Sequence, residues 1–238
     1  MTIDNEALKS AAFAVNVTLD KRALDMFDTY AARLIETNER VNLTAITEPG
    51  GIVTKHFADS LALLGLFEIP EGAKVADVGT GAGFPGLALL IARPDLQVTL
   101  MDSVNKKLEF LRKLSKELGL SPEIVHIRAE DAGHDPAYRE SFDLVTARAV
   151  ASLEKLAEFC VPLVKPGGLF LPLKAPLSEE EAAAGRAAAG KLGCRLAETK
   201  AYAIPGGDER EIPVFEKRSH TPSIYPRPAA KIAKNPLK

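Results

Sequence analysis

Tryptophan is absent, and only two cysteines, Cys160 and Cys194, occur in 238 residues. Two such residues build no disulfide framework, and their spacing matches no zinc motif. Both read as small apolar core residues, and no metal site is expected. Charge of one sign is scarce as well: 30 Lys and Arg stand against 32 Asp and Glu. No global field therefore announces a nucleic-acid partner, and only a local patch can. Long hydrophobic runs are missing. The longest, Leu87 to Ala92, falls far short of the roughly 20 residues that cross a bilayer. The opening Met-Thr-Ile-Asp-Asn-Glu has neither the basic nor the apolar region of a signal peptide. A cytoplasmic protein with no membrane partner, and a monomer, is expected.

What is present organises into segments. Leu24, Phe27, Tyr30, Ala31, Leu34 and Ile35 recur at spacings of three and four, one face of a helix for which Asp20 is a plausible N-cap. Asn38 to Thr47 interrupts the pattern, and a second helix is expected from about Gly51 to Leu66, ended by Pro70 and Gly72. From Lys74 on, short strands alternate with helices. The strands read as Val75–Val78, Gln97–Met101, Ile124–Arg128, Phe142–Thr146 and Leu169–Leu173. The helices read as Pro85–Ala92, Asn105–Leu118, Leu153–Leu163 and an Ala-rich helix to about Lys191. Ser178 and Glu181 form a capping box for that last helix. Lys165-Pro-Gly-Gly168 reads as a turn. Arg195–Ala203 and Ile212–Glu216 are separated by little more than Pro205-Gly-Gly-Asp208 and pair as an antiparallel hairpin. Alternation of this kind gives right-handed crossovers and a mostly parallel, doubly wound sheet. The expectation is an α/β class I (Rossmann-like) methyltransferase fold, with a seven-stranded sheet and helices on both faces. Residues 1–70 would form an N-terminal helical extension, 71–218 the domain itself, and 219–238 a basic C-terminal tail. From Lys217 to the end there are six Lys or Arg and no acidic residue.

The segment Asp77-Val-Gly79-Thr-Gly81-Ala-Gly83-Phe84-Pro85-Gly86 closes the first strand and opens the next helix. Its glycines let the backbone turn tightly and approach a ligand, at the strand ends where open α/β sheets bind one. Gly81 to Gly86 also matches the dinucleotide pattern GxGxxG, which alone is weak. Asp77 argues against a pyrophosphate there and for the ammonium of a methionine moiety. Asp102, ending the second strand, can accept from both ribose hydroxyls, in either kind of site. The terminal hairpin favours the methyltransferase. Ala129-Glu130-Asp131 would meet an adenine, and Arg148, ending the fourth strand, faces the crevice. The cofactor expected is S-adenosylmethionine, bound by Asp77, Gly79, Gly81, Gly83, Phe84, Asp102, Ala129, Glu130 and Arg148.

The methyl acceptor is less defined. Thr146-Ala-Arg-Ala149 lacks the Asn-Pro-Pro-Tyr type of motif used on exocyclic amines. Neither cysteine lies at a strand end, as pyrimidine C5 chemistry needs. A ring nitrogen such as guanine N7 needs no base and can rely on proximity and orientation. No certain catalytic residue is read, and Arg148 and His56 are the candidates. His56 and Asp59 share a helix face, either lining the substrate side or clamping the N-terminal helices to the sheet. Lys106, Lys107, Arg112, Lys113, Lys174, Arg210 and Arg227 are candidate RNA contacts, with further lysines in the tail.

Over nearly its whole length the chain resembles the glucose-inhibited division protein B family, the ribosomal small-subunit methyltransferases G. The resemblance rests on Asn42-Leu-Thr44, His56-Phe-Ala-Asp-Ser60, the segment Asp77 to Gly86, Asp102-Ser103, Arg148-Ala149, Leu173-Lys174, Tyr225-Pro-Arg227 and Asn235-Pro-Leu237. It implies methylation of N7 of one guanine in the decoding region of 16S ribosomal RNA, hence the small ribosomal subunit as partner. It also implies cofactor contacts at Gly79, Phe84, Ala129, Glu130 and Arg148. Val150 stands where some relatives carry phenylalanine, and Lys107 where some carry arginine. A small-molecule methyltransferase, or an RNA-binding assembly factor with a structural cofactor, remain alternatives.

Overall fold

The computed structural model describes residues 2–148 and 151–238. Ala149 and Val150, which the sequence reading touched, lie outside the described residues. Helix α1 (Asn5–Ala14) is capped by the Asp4 carboxylate, which accepts from the N–H groups of Glu6 and Ala7. Helix α2 (Lys21–Asn38) begins where expected: Asp20 accepts the Ala23 N–H at 2.7 Å. The apolar stripe Leu24, Phe27, Tyr30, Ala31 and Leu34 is buried. The single helix expected over 51–66 is three joined pieces, a turn α3 (Pro49–Gly51), a π-helix (Ile52–Ala58) and α4 (Asp59–Leu66). A π register is a rare, locally widened geometry that concentrates at functional sites, and no residue type in Ile52–Ala58 signals it.

The sheet comprises β1 (Lys74–Val78), β2 (Gln97–Asp102), β3 (Glu123–His126), β4 (Phe142–Arg148), β5 (Val164–Leu173), β6 (Cys194–Ala203) and β7 (Glu209–Lys217). Between them run α5 (Gly86–Ala92), α6 (Asn105–Glu117), the short α7 (Ala129–Ala132), α8 (Leu153–Cys160) with a 3-10 turn (Val161–Leu163), and α9 (Glu179–Lys191). Helix α10 (Ala229–Lys234) follows the sheet. The strand order is β3-β2-β1-β4-β5-β7-β6. The first five strands are parallel, and β7 pairs antiparallel with both β5 and β6. The seven-stranded expectation holds. The order reverses between β1 and β4, which creates a crevice at their carboxyl ends.

Lys165-Pro-Gly-Gly168 is not a free turn. Phe142 pairs with Val164 and Leu144 with Leu169, so residues 165–168 bulge opposite Asp143 within one long strand. Pro166 has no N–H for the ladder, and Gly167 takes a φ of 84°, a combination that breaks a register without ending the strand.

Alternation along each strand splits the core into two. Val75, Leu100, Leu144 and Leu171 join α1, α2, α4, α5 and α6 on one face; Ala76, Val78, Val145 and Phe170 join α8 and α9 on the other. The N-terminal helices are thus the cover of one sheet face. The C-terminal segment is fastened to the other side. Arg139 donates to the carbonyls of Thr221 and Tyr225, Ile232 and Leu237 are buried, and Arg227 is locked to Glu158.

Candidate functional site

A cavity of about 950 Å³ opens at the carboxyl ends of β1, β2, β4 and β5. Its cofactor-like half is backbone and one carboxylate. Gly81 has a φ of 58° with only the Gly79 carbonyl oxygen, at 3.9 Å, near where a Cβ would stand, and Gly83 has a φ of 105° with Tyr30 Oη 2.6 Å from such a Cβ. Only glycine fits both, for opposite reasons: the first bares backbone to the cavity, the second lets the turn press onto α2. Asp102 sits at the edge of this turn. Its Oδ2 accepts the Gly81 N–H at 2.9 Å and its Oδ1 the Val104 N–H at 2.8 Å. Each oxygen keeps a lone pair for a further donor. Gly79, Phe84, Ala129, Glu130 and Arg148 also reach the cavity.

Asp77 and Gly83 do not line it. Asp77 is fully buried beneath the turn, where its Oδ2 accepts from Thr80 Oγ1 at 2.6 Å and from the Gly86 N–H at 2.8 Å. Burial lifts its carboxyl from 3.8 to about 6, against those two hydrogen bonds. Asp77 thus holds the turn from inside through Oδ2, while its Oδ1 is buried without a hydrogen-bond partner among the described residues; the side chain expected to meet an ammonium does not itself line the cavity. Gly83 is buried against Tyr30 and serves packing. Asp131 is exposed and away from the cavity.

The other half is a polar cluster assembled from distant segments. Arg148 donates to Asp59 Oδ2 at 3.0 Å, to the Lys55 carbonyl at 3.0 Å and to His56 Nδ1 at 3.3 Å. An arginine only donates, so Nδ1 accepts and the ring proton lies on Nε2, which donates to Thr44 Oγ1 at 2.8 Å. Thr44 Oγ1 also accepts the Ile46 N–H, and its own proton remains to donate. Burial and the Arg148 charge lower His56 from 6.5 to about 3. The ring is neutral with both nitrogens engaged, so it positions its neighbours and is not placed to take a proton. It stacks on Phe84 at 4.5 Å between ring centroids; Phe84 also stacks on Tyr30 at 5.0 Å and lies under the Arg148 guanidinium. Such ring pairs contribute about 0.5–1.5 kcal/mol each beyond burial.

Asp59 shows features of both readings posed for the His56-Asp59 face. Its carboxylate, 4% exposed, accepts from Arg148, from Tyr202 Oη at 2.7 Å, and lies 3.5 Å from Arg210. It ties the N-terminal helices to β4 and to the β6–β7 hairpin, and both it and His56 line the cavity. Thr44, Tyr30 and Tyr202 were not singled out as site residues. Thr44 lay inside a recognised motif and Tyr30 on the apolar helix stripe, but nothing local links Tyr202 to position 59.

The candidate RNA cations divide by partner. Lys106 and Lys113 on α6 are exposed, and neither they nor Lys107, which reaches the cavity, has an ion-pair partner among the described residues. Arg112 pairs with Glu109, Lys174 with Glu181 at 2.7 Å, and Arg210 with Asp208 and Asp59. Arg227 is corrected: its Nε and Nη2 donate to the fully buried Glu158 at 2.7 and 2.6 Å, which leaves it a structural role. No group of metal-ligating side chains occurs among the described residues.

Comparison with solved structures agrees with the fold. A methyltransferase from Pyrococcus furiosus superposes with a TM-score of 0.56 at 18% identity, covering 79% of this chain and 98% of that one. The M. jannaschii protein TYW2, solved in complex with AdoMet, superposes with a TM-score of 0.50 at 18% identity over 63% of this chain and 72% of its own. In sequence, the Ribosomal RNA small subunit methyltransferase G of Desulfitobacterium hafniense is 47% identical over 94% of this chain and 93% of its own length. That of Lactococcus lactis subsp. lactis is 45% identical over 96% and 97%. The family model described as rRNA small subunit methyltransferase G matches residues 23–211, and the chain belongs to that family.

Proposed function

We propose that this protein transfers a methyl group from S-adenosylmethionine to N7 of a guanine in 16S ribosomal RNA, acting on the small ribosomal subunit in the cytoplasm. The observation that carries the reading is one cavity with two unlike halves, in a chain of this family. One half is a glycine turn edged by Asp102; the other is a fixed cluster around Arg148 in which the imidazole of His56 is neutral and hydrogen-bonded on both nitrogens.

The donor set fits the cofactor. The bared backbone at Gly81 leaves room for it, and the spare lone pairs of Asp102 suit vicinal ribose hydroxyls. Ala129 and Glu130 at the start of α7 flank the same wall. S-adenosylmethionine, when bound, supplies a methyl carbon made electrophilic by its sulfonium. The protein holds the two reactants in line and excludes water. Guanine N7 carries a free lone pair and loses no proton on methylation. A site in which His56 is neutral and hydrogen-bonded on both nitrogens is adequate for that acceptor and poor for one that must be deprotonated. Arg148, over Phe84 and tied to Asp59, keeps a fixed positive charge at the junction of the two halves. Lys106, Lys107 and Lys113 offer unpaired charge for phosphates beside the cofactor half.

The test is labelled-methyl transfer to 16S ribosomal RNA and to intact small subunits, offered separately, followed by mapping of the modified base. N7-methylguanine at a single position is the expected product. Label appearing only in protein or in a small metabolite would overturn the reading. No helix among the described residues is long and apolar enough to cross a membrane.

A further inference from the structure

Ser178 caps α9 as the sequence predicts, accepting the Glu181 N–H. The reciprocal half of the box is missing. Instead of turning back to Ser178, the Glu181 carboxylate crosses to the cavity wall. There its Oε1 accepts the Leu153 N–H at 2.9 Å and meets Lys174 Nζ at 2.7 Å. Both side chains line the cavity and are largely withdrawn from solvent, at 15% exposure for Lys174 and 29% for Glu181. Lys174 is fixed further by donating to the Ala151 carbonyl at 3.0 Å. Glu181 lines the cavity, and its Oε2 has no hydrogen-bond partner among the described residues and is not sealed from solvent. Burial raises this carboxyl, but the Lys174 and Leu153 hydrogen bonds outweigh burial and hold it below the usual carboxylate range. It is an anion at neutral pH.

We propose that the Lys174–Glu181 pair is a specificity determinant that reads the six-membered-ring edge of the acceptor guanine, Lys174 donating to O6 and Glu181 Oε2 accepting from the 2-amino group. The inference rests on the guanine-N7 reading above and names how that base is chosen. A donor beside an acceptor matches guanine, whereas adenine would set its 6-amino donor against the ammonium and a C–H against Oε2. Position agrees. The glycine turn follows β1 and Lys174 follows β5, two strands along the carboxyl edge, a span of roughly 10 Å at ordinary strand spacing. The other cavity carboxylates are less suited. Asp59 is spent on Arg148 and Tyr202, Asp102 belongs to the cofactor half, and Glu130 pairs with Arg128. Asp208, 43% exposed, competes with water for any base edge.

Glu181→Gln tests it on two RNAs, one with guanosine and one with inosine, which lacks only the 2-amino group, at the mapped target position. Lys174 and Leu153 both require an acceptor at Oε1. The amide nitrogen therefore stands where Oε2 stood, donor against donor. Wild-type kcat/KM is expected to fall about ten- to a hundredfold on inosine RNA, the cost of leaving a buried acceptor unpaired. The variant is expected to fall as much on guanosine RNA and to lose nothing further on inosine RNA. Lys174→Met is expected to weaken both RNAs equally, since both carry O6. Affinity for S-adenosylmethionine should stay at its wild-type value, and any fall in melting temperature from the lost ion pair bears on both RNAs alike. An equal loss on both RNAs for Glu181→Gln would reduce Glu181 to a packing role and overturn the proposal. Wild-type protein that places no label on guanine N7 would instead overturn the functional reading, and this proposal with it.

Discussion

Arg227→Met separates a structural cation from an RNA contact in a single variant. Glu158 is completely buried on α8, and Arg227 gives it three donors: the backbone N–H at 2.9 Å, Nε at 2.7 Å and Nη2 at 2.6 Å. Methionine keeps most of the stem and the backbone donor but removes the charge. A carboxylate then remains buried with one hydrogen bond. Breaking a buried pair from one side costs about 3–5 kcal/mol, and the surviving N–H points to the lower end. A chain of this size loses about 2–4 °C of melting temperature per kcal/mol, so about 6–12 °C is expected at pH 7.5. Glu158→Gln added to Arg227→Met should recover part of the loss, a coupling that distant, independent sites do not give. Thermal unfolding by circular dichroism reads both effects. RNA affinity measured at several salt concentrations reads the alternative. A variant with wild-type melting, and a shallower salt slope by about one charge, would refute the internal-latch reasoning and return Arg227 to the phosphates.

Asp102→Asn should weaken S-adenosylmethionine binding about ten- to a hundredfold in calorimetry, as expected for loss of charge-assisted bonds; unchanged affinity would move the ribose elsewhere. Lys106→Glu with Lys113→Glu should flatten the salt dependence of RNA binding by about two charges without altering cofactor affinity, and an unchanged slope would exclude α6 from the interface. Asp77, held up at about 6, loses stability as the pH rises from 3.8 to 6, and His56, held down at about 3, loses it as the pH falls below 6.5. Between pH 6 and 4 these oppose each other at up to about 1.4 kcal/mol per unit each, so relative to wild type Asp77→Asn should fall more on acidification and His56→Gln less. Urea titrations with three superimposable pH profiles would contradict both assignments. Burial raises the thiol of Cys160 far above its ordinary value and that of Cys194 to about 12. Native protein at pH 8 should leave both unalkylated until denaturant is added, and rapid labelling would show an open core.

The cofactor half was legible because it is local. Asp77 to Gly86 is one continuous turn between a strand and a helix, and Asp102 is found simply by ending the next strand. Even there the residue was legible and its burial was not: Asp77 stands before the glycines, and its Oδ2 bonds Thr80 and Gly86 from below the turn. Helix stripes and the capping of α2 were equally direct. What sequence could not hold was pairing at a distance. It counts Arg227, Lys174 and Arg210 as cations, but whether each is free depends on Glu158, Glu181 and Asp59, brought up by tertiary packing. The π-helix had no local mark, and the bulge in β5 looked like a turn because Pro166 and Gly167 obey the same backbone rules in both settings.

That asymmetry has a physical basis in how the two halves recognise their ligands. In the proposed reading, a cofactor common to many enzymes is met largely by backbone and one carboxylate, so a short run with the right φ angles suffices. An acceptor base must be distinguished from its near relatives, and discrimination comes from buried donors and acceptors that punish a mismatch. Rigid placement of such groups needs several elements to converge. Asp59 gathers Arg148 from β4 and Tyr202 from β6 onto the helix that carries His56. Glu181 leaves its own helix cap to join Lys174 at the end of β5 and the start of α8. In both cases a carboxylate gives up solvent or a local bond to fix a cation at the cavity wall. Glu181 Oε2, without a protein partner, is the position at which that investment in order has room to act on a substrate.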